Sequence, residues 1–229
     1  MCIGHSHIQA VASAATELKA PWDVIAFWVE PGAVIRNAGE ATLRPDLAER
    51  VAVGAPVLSF VGGSAHSTLG MVEHPRPFDF VLPSSPDLPL DPDRELVPAS
   101  GVRAALAALD AEYVDLLSMV VRAAKGAPVT QLEPPPPLAD SERIFANMPW
   151  GFFPDRPRII APRWLRLKVW RMHSEMMAAC CARLGVGYLR APPEAQDADG
   201  FLKAGLDSDG IHAGPIYGRM VIESLERGA

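Results

Sequence analysis

Met1-Cys2-Ile3-Gly4-His5-Ser6-His7 opens the chain, and apolar side chains follow at Ile8, Val11, Ala12, Ala15 and Leu18. The residues up to Gly4 are short and apolar, as in a buried strand, whereas the next run has the helical repeat. A strand that gives way to a helix within three residues needs a tight turn, and His5, Ser6 and His7 form it. Strand, polar turn and helix in that order are the first half of a βαβ unit.

Further apolar runs of strand length cover residues 22–29, residues 56–61, which Gly62-Gly63 closes, residues 128–132, and a short one at 187–189. Pro134 to Pro137 lack the N–H that a ladder needs, so the chain leaves the sheet there. Helical spacing recurs over residues 102–124, 164–184 and 215–225. Strands alternating with helices require crossover connections, so the expected fold is α/β, a central parallel sheet of about five strands with helices on both faces. Residues 73–98, rich in proline and aspartate, read as a long loop, and residues 138–162 as an insertion without a clear strand. The expectation is a single domain over residues 1–229, with loop insertions around 73–100 and 134–162. On the helix at 164–184, Val169, Met172, Met176 and Cys180 mark the packing stripe. Arg163, Arg166, Lys168 and Arg171 read as a solvated basic face.

A hydrophobic share of 49% against 21% charged residues is that of a globular chain, which excludes disorder throughout. The net charge of −6, without a dense Lys/Arg block, removes the electrostatics that nucleic-acid binding needs. No apolar run reaches the ~18 residues of a membrane span. The start of the chain lacks the basic and apolar regions of a signal peptide. Cys2, Cys180 and Cys181 are odd in number and two are adjacent, which suits neither a disulfide framework nor a zinc knuckle. A cytoplasmic location with reduced thiols is the expectation.

In a parallel sheet the loops leaving the carboxyl ends of the strands converge on one crevice. Ser6 follows the first strand, Asn37-Ala38-Gly39 the second, and Gly62-Gly63-Ser64-Ala65-His66 the third. Asp207-Ser208-Asp209-Gly210-Ile211-His212 follows the last. A hydroxyl, an imidazole and a carboxylate are the groups of nucleophilic acyl transfer, since serine is inert until a base takes its proton and a carboxylate orients that base. Each residue also has a plain structural reading. Ser6 could be a turn serine, Asp209-Gly210 a simple turn, Gly39 and Gly62-Gly63 bends that need positive φ, and Trp150, Phe152 and Phe153 core anchors rather than a platform over the crevice.

The four blocks, in this order, resemble those of the SGNH or GDSL-type serine hydrolases. Gly4-His5-Ser6 is similar to the first block, Asn37-Ala38-Gly39 to the second, Gly62-Gly63-Ser64 to the third and Asp209-Gly210-Ile211-His212 to the fourth. The resemblance implies a three-layer, flavodoxin-like α/β/α sandwich and a catalytic triad of Ser6, Asp209 and His212. It also implies an oxyanion hole from Ser6, Gly39 and Ser64, with His66, Gly63 and His5 as possible support. It implies no cofactor and no metal, and an esterase working through an acyl-enzyme on short acyl, above all acetyl, esters of a carbohydrate or other small alcohol. Two positions depart from the family: His5 stands where it has aspartate, and Ser64 where it has an asparagine that donates to the oxyanion. Loss of such a donor lowers kcat by roughly 10²- to 10³-fold. Two other readings stay open at this point: a non-catalytic or acyl-transferring, glycan-binding member of the same fold, and a metal-dependent hydrolase using His5 and His7 with His66, His74, Asp209 or His212.

Overall fold

The structure is a computed structural model that describes residues 1–19, 22–37 and 40–228. Five strands form the central sheet: β1 (Cys2–Gly4), β2 (Val24–Ala26), β3 (Val57–Phe60), β4 (Val129–Leu132) and β5 (Gly187–Leu189). They are all parallel and lie in the order β2-β1-β3-β4-β5. Because β2 flanks β1 on one side and β3 on the other, the winding reverses beside β1; in open α/β sheets, ligands bind at such a reversal, outside the carboxyl ends of the strands.

The three central strands, β1, β3 and β4, bury side chains on both faces. Cys2, Phe60 and Leu132 point into a core shared with α1 (Ile8–Glu17) and α7 (Pro215–Gly228). Ile3, Ile25, Val57 and Val129 point the other way, against α2 (Pro45–Val51), α4 (Ala99–Ala123) and the end of α6 (Arg163–Leu184). The fold is therefore the expected three-layer α/β/α sandwich. Strands of three or four residues suffice because helices cover them on both sides. One polar tie crosses the sheet: Ser59 Oγ donates to Gln131 Oε1 at 2.6 Å and Gln131 Nε2 donates to the Val61 carbonyl at 2.9 Å. It fixes the end of β3, where the Gly62-Gly63-Ser64 turn begins.

Several details differ from the sequence reading. The second strand ends at Ala26 and passes into a 3-10 turn at Phe27–Val29, so the apolar run at 22–29 is only partly strand. Asn37 lies at the end of a strand, Val34–Asn37, that pairs antiparallel with Glu40–Leu43, a hairpin outside the central sheet. A short helix, α3 (Ala65–Gly70), follows the third block. The loop at 73–98 carries a two-residue pairing, Phe78–Asp79 with Glu95–Leu96. The segment after the prolines contains α5 (Ser141–Asn147).

The basic face of α6 is corrected: Arg166 is 2% exposed and Lys168 0%. The Arg166 guanidinium donates to the Leu138 and Ala139 carbonyls, both at 2.9 Å, and to that of Ala161. Lys168 pairs with Asp79 and donates to the Pro89 carbonyl at 3.1 Å. Irregular segments lie over this helix, and their carbonyls, which have no ladder to join, take these cations as donors.

Among the described residues no helix is long and apolar enough to cross a membrane. All three cysteines are free and buried.

Candidate active site

Ser6 stands two residues past β1. Gly4 lets β1 approach β3 closely, since a Cβ there would lie 2.6 Å from the Phe60 carbonyl oxygen. The His5 N–H then extends the ladder by donating to that carbonyl at 3.1 Å. Ile8 N–H donates to His5 O at 3.0 Å and Gln9 N–H to Ser6 O at 3.1 Å, which winds the chain straight into α1. No side chain caps this helix, so its positive end faces the turn that carries Ser6. Among the described residues the Ser6 N–H is bonded to no other backbone carbonyl.

The facing loop is held by short-range bonds. Ser208 N–H donates to His212 O at 2.8 Å, and Gly210 N–H to Asp207 Oδ2 at 2.9 Å. Arg143 pairs with the same Asp207 carboxylate, which moors the loop to α5. Gly210 has φ +82°, and a Cβ would meet the Arg143 carbonyl oxygen at 2.8 Å, so only glycine fits. Asp209 Oδ1 accepts the N–H groups of Ile211 at 2.9 Å and His212 at 2.7 Å. Its Oδ2 lies 2.8 Å from His212 Nδ1, and His212 Nε2 lies 3.0 Å from Ser6 Oγ, across 206 positions of sequence.

This pattern assigns the imidazole its tautomer: Nδ1–H donates to the carboxylate, which leaves Nε2 as the acceptor for the Ser6 proton. Partial burial raises the Asp209 pKa, but the His212 amide and ring and the Ile211 amide outweigh it and hold the carboxyl below its usual range. A hydroxyl so placed can lose its proton to the ring as it attacks an electrophile.

The other histidines do different work. The His5 ring packs on Phe27 at 5.3 Å and edge-on to Tyr113 at 5.1 Å, and its Nδ1 accepts the Gly62 N–H at 3.3 Å. It thus ties the β1 turn to the β3 turn. The buried His7 ring lies 5.3 Å from that of His212, and burial pulls its pKa down to about 3, so it stays neutral. His66 is buried on α3, where its Nε2 lies 3.2 Å from Ser67 Oγ and its ring 5.3 Å from that of His173; no bond links it to Ser6 or His212. The rings of His5 and His7 have different neighbours, and among the described residues no three His, Cys, Asp or Glu side chains are grouped to hold a metal ion.

Gly62 and Gly63 have φ of +79° and +87°, and this pair of left-handed residues turns Ser64 to the start of α3. Ser64 Oγ lies 3.1 Å from the Tyr113 hydroxyl. Gly39 lies outside the described residues. Phe152 is exposed, whereas Trp150 and Phe153 pack against the core. A cavity of about 600 Å³ opens at the ends of β4 and β5, among Glu133, Trp170, Arg171 and Arg190. None of Ser6, Asp209 and His212 lines it, so the bonded trio and not this volume marks the candidate site.

Sequence reasoning missed Tyr113 and Arg143. Tyr113 is one aromatic residue in a long helical pattern, and its partner is 49 positions away.

No family model matches the chain, and no curated protein matches it in sequence. In fold it is similar to a solved structure from Streptococcus pneumonia, provisionally described as a platelet activating factor. The identity is 14% and the TM-score 0.51, over 99% of this chain and 81% of that one. The likeness is one of fold.

Proposed function

We propose that this chain is a serine hydrolase of the SGNH type that cleaves carboxylic esters through an acyl-enzyme on Ser6. One observation carries the reading: Ser6 Oγ, His212 and Asp209 form a continuous hydrogen-bonded line with steps of 3.0 and 2.8 Å. His212 Nε2 takes the Ser6 proton while Oγ bonds to the ester carbonyl carbon. Asp209 stabilises the resulting imidazolium. The Ser6 amide, at the positive end of α1, donates to the tetrahedral oxygen, and the resemblance gives a second amide to Gly39 and a third donor to Ser64. Collapse breaks the bond to the alcohol, which leaves with the proton from His212. Water then adds to the acyl carbon by the same proton transfers and frees Ser6. The resemblance favours short acyl, above all acetyl, esters of a carbohydrate or small alcohol.

The test is a panel of nitrophenyl esters from acetyl to decanoyl, with fluorophosphonate labelling of the same protein. Turnover and labelling that both vanish in Ser6→Ala support the reading. A folded protein that neither turns over an ester nor takes the label overturns it.

A further inference from the structure

We infer that Tyr113 is a positioning residue of the oxyanion hole, orienting Ser64 so that its hydroxyl donates to the tetrahedral oxygen. The inference rests on the ester-hydrolase reading above and assigns a role to a residue that reading does not use. Three contacts converge on Tyr113, and a fourth bond links two of its neighbours. Its hydroxyl is 3.1 Å from Ser64 Oγ, and its ring lies edge-on to His5 at 5.1 Å. Its Cβ is 3.3 Å from where a Gly62 Cβ would sit, and His5 in turn accepts the Gly62 N–H at 3.3 Å. A side chain of α4 is thereby locked against both turns that flank Ser6.

The hydroxyl matters because the ring's packing would be served equally by phenylalanine. A serine side chain is a rotor with one proton and two lone pairs, so an isolated Ser64 could turn its proton to water and away from the reacting carbonyl. A phenol is a better donor than an aliphatic alcohol, so the 3.1 Å contact is read with Tyr113 donating. Ser64 then has its acceptor side occupied and its proton free, and accepting one hydrogen bond strengthens the one it gives. The couple replaces what an amide side chain supplies alone. It also accounts for His5: an imidazole reaches the Tyr113 ring and braces it.

The experiment measures kcat and KM for nitrophenyl acetate in the wild type, Tyr113→Phe, Ser64→Ala, the double variant, and Ser64→Asn combined with Tyr113→Phe, with fluorophosphonate labelling throughout. Ser64→Ala is expected to lower kcat by ~10²-fold. Tyr113→Phe should lower it by ~10-fold at nearly constant KM. The double variant should fall no further than Ser64→Ala, because the phenol acts only through Ser64. Ser64→Asn should restore kcat in the Tyr113→Phe background, which a merely structural loss would not allow. Wild-type kcat in Tyr113→Phe, or losses that multiply in the double variant, overturn the inference while leaving the hydrolase reading intact. A wild-type protein without turnover or labelling overturns that reading and this inference together.

Discussion

Gly218 of α7 meets Ala10 of α1 so closely that a Cβ on the glycine would lie 2.0 Å from the Ala10 carbonyl oxygen. Both residues are buried. The contact lets two helices from opposite ends of the chain pack backbone to backbone on one face of the sheet. α1 begins just after Ser6 and α7 just after His212, so this contact sets how far apart the hydroxyl and the imidazole stand.

Gly218→Ala should therefore act at a distance. The methyl group cannot fit unless α7 moves away from α1, an overpacking that costs about 1–3 kcal/mol. The shift carries His212 away from Ser6, and a misplacement of about 1 Å can cost 10²-fold in rate. Urea unfolding should record the lost stability, and an ester assay on the remaining folded protein a kcat far below wild type. A variant with full activity would separate the helix contact from the site.

Asp209→Asn tests the orientation of His212. The Asn carbonyl could still accept the amides of Ile211 and His212, but its NH₂ would face Nδ1, 2.8 Å away in the wild type, with a donor where an acceptor stood. The ring would favour the tautomer with its proton on Nε2, which cannot accept from Ser6. A fall in kcat of about 10³- to 10⁴-fold is expected, with little change in melting temperature. A drop below 10-fold would remove Asp209 from the proton path.

Much of this site is legible in the sequence because its parts are local. Strands buried on both faces appear as plain apolar runs, and parallel topology alone puts the loops that follow them on one sheet edge. Asp209 and His212 are three residues apart and carry their own geometry. What is not legible depends on distant partners. Arg166 and Lys168 sit on a helix face that would be solvated if no irregular segment covered it, and nothing in residues 163–184 announces that cover. Gly218 reads as a weak point in a helix until Ala10 is seen against it. Tyr113 looks like one more core aromatic until its hydroxyl finds Ser64.

The Lys168–Asp79 pair should be costly to break from one side. Both side chains are buried, and Asp79 Oδ1 and Oδ2 also accept the amides of Phe80 at 2.8 Å and Asp91 at 3.0 Å. Lys168→Met leaves an unpaired carboxylate and an unsatisfied Pro89 carbonyl, for a loss of about 3 kcal/mol or more. Urea unfolding followed by circular dichroism measures it. A change within 0.5 kcal/mol, on the scale of surface substitutions, would place the pair in contact with solvent.

Stability should also fall with pH before any carboxylate titrates. Burial, with the neighbouring His212, pulls the His7 pKa from 6.5 to about 3. His66 is likewise held well below 6.5 by burial and by the adjacent His173. Asp209 near His7 works the other way on that ring, and burial prevails. Both imidazoles must be neutral in the folded chain, whereas in the unfolded chain they take up protons below pH 6.5. The unfolded state therefore binds more protons as the pH drops. The stability present above the unfolded pKa is lost as the pH falls from 6.5 toward the folded value of about 3 for His7. Each group contributes a slope approaching about 1.4 kcal/mol per pH unit, so the pair approaches about 3. Urea unfolding at half-unit steps from pH 7.5 to about 5 reads this slope above the range where carboxylates titrate. The His5 pKa is also lowered by burial and adds to the same slope, so His66→Gln should reduce the slope by up to about 1.4 kcal/mol per pH unit and not abolish it, even if it lowers stability at every pH. An unfolding free energy that stays level across that interval in the wild type would mean that the imidazoles reach solvent in the folded chain, and their burial would have to be abandoned.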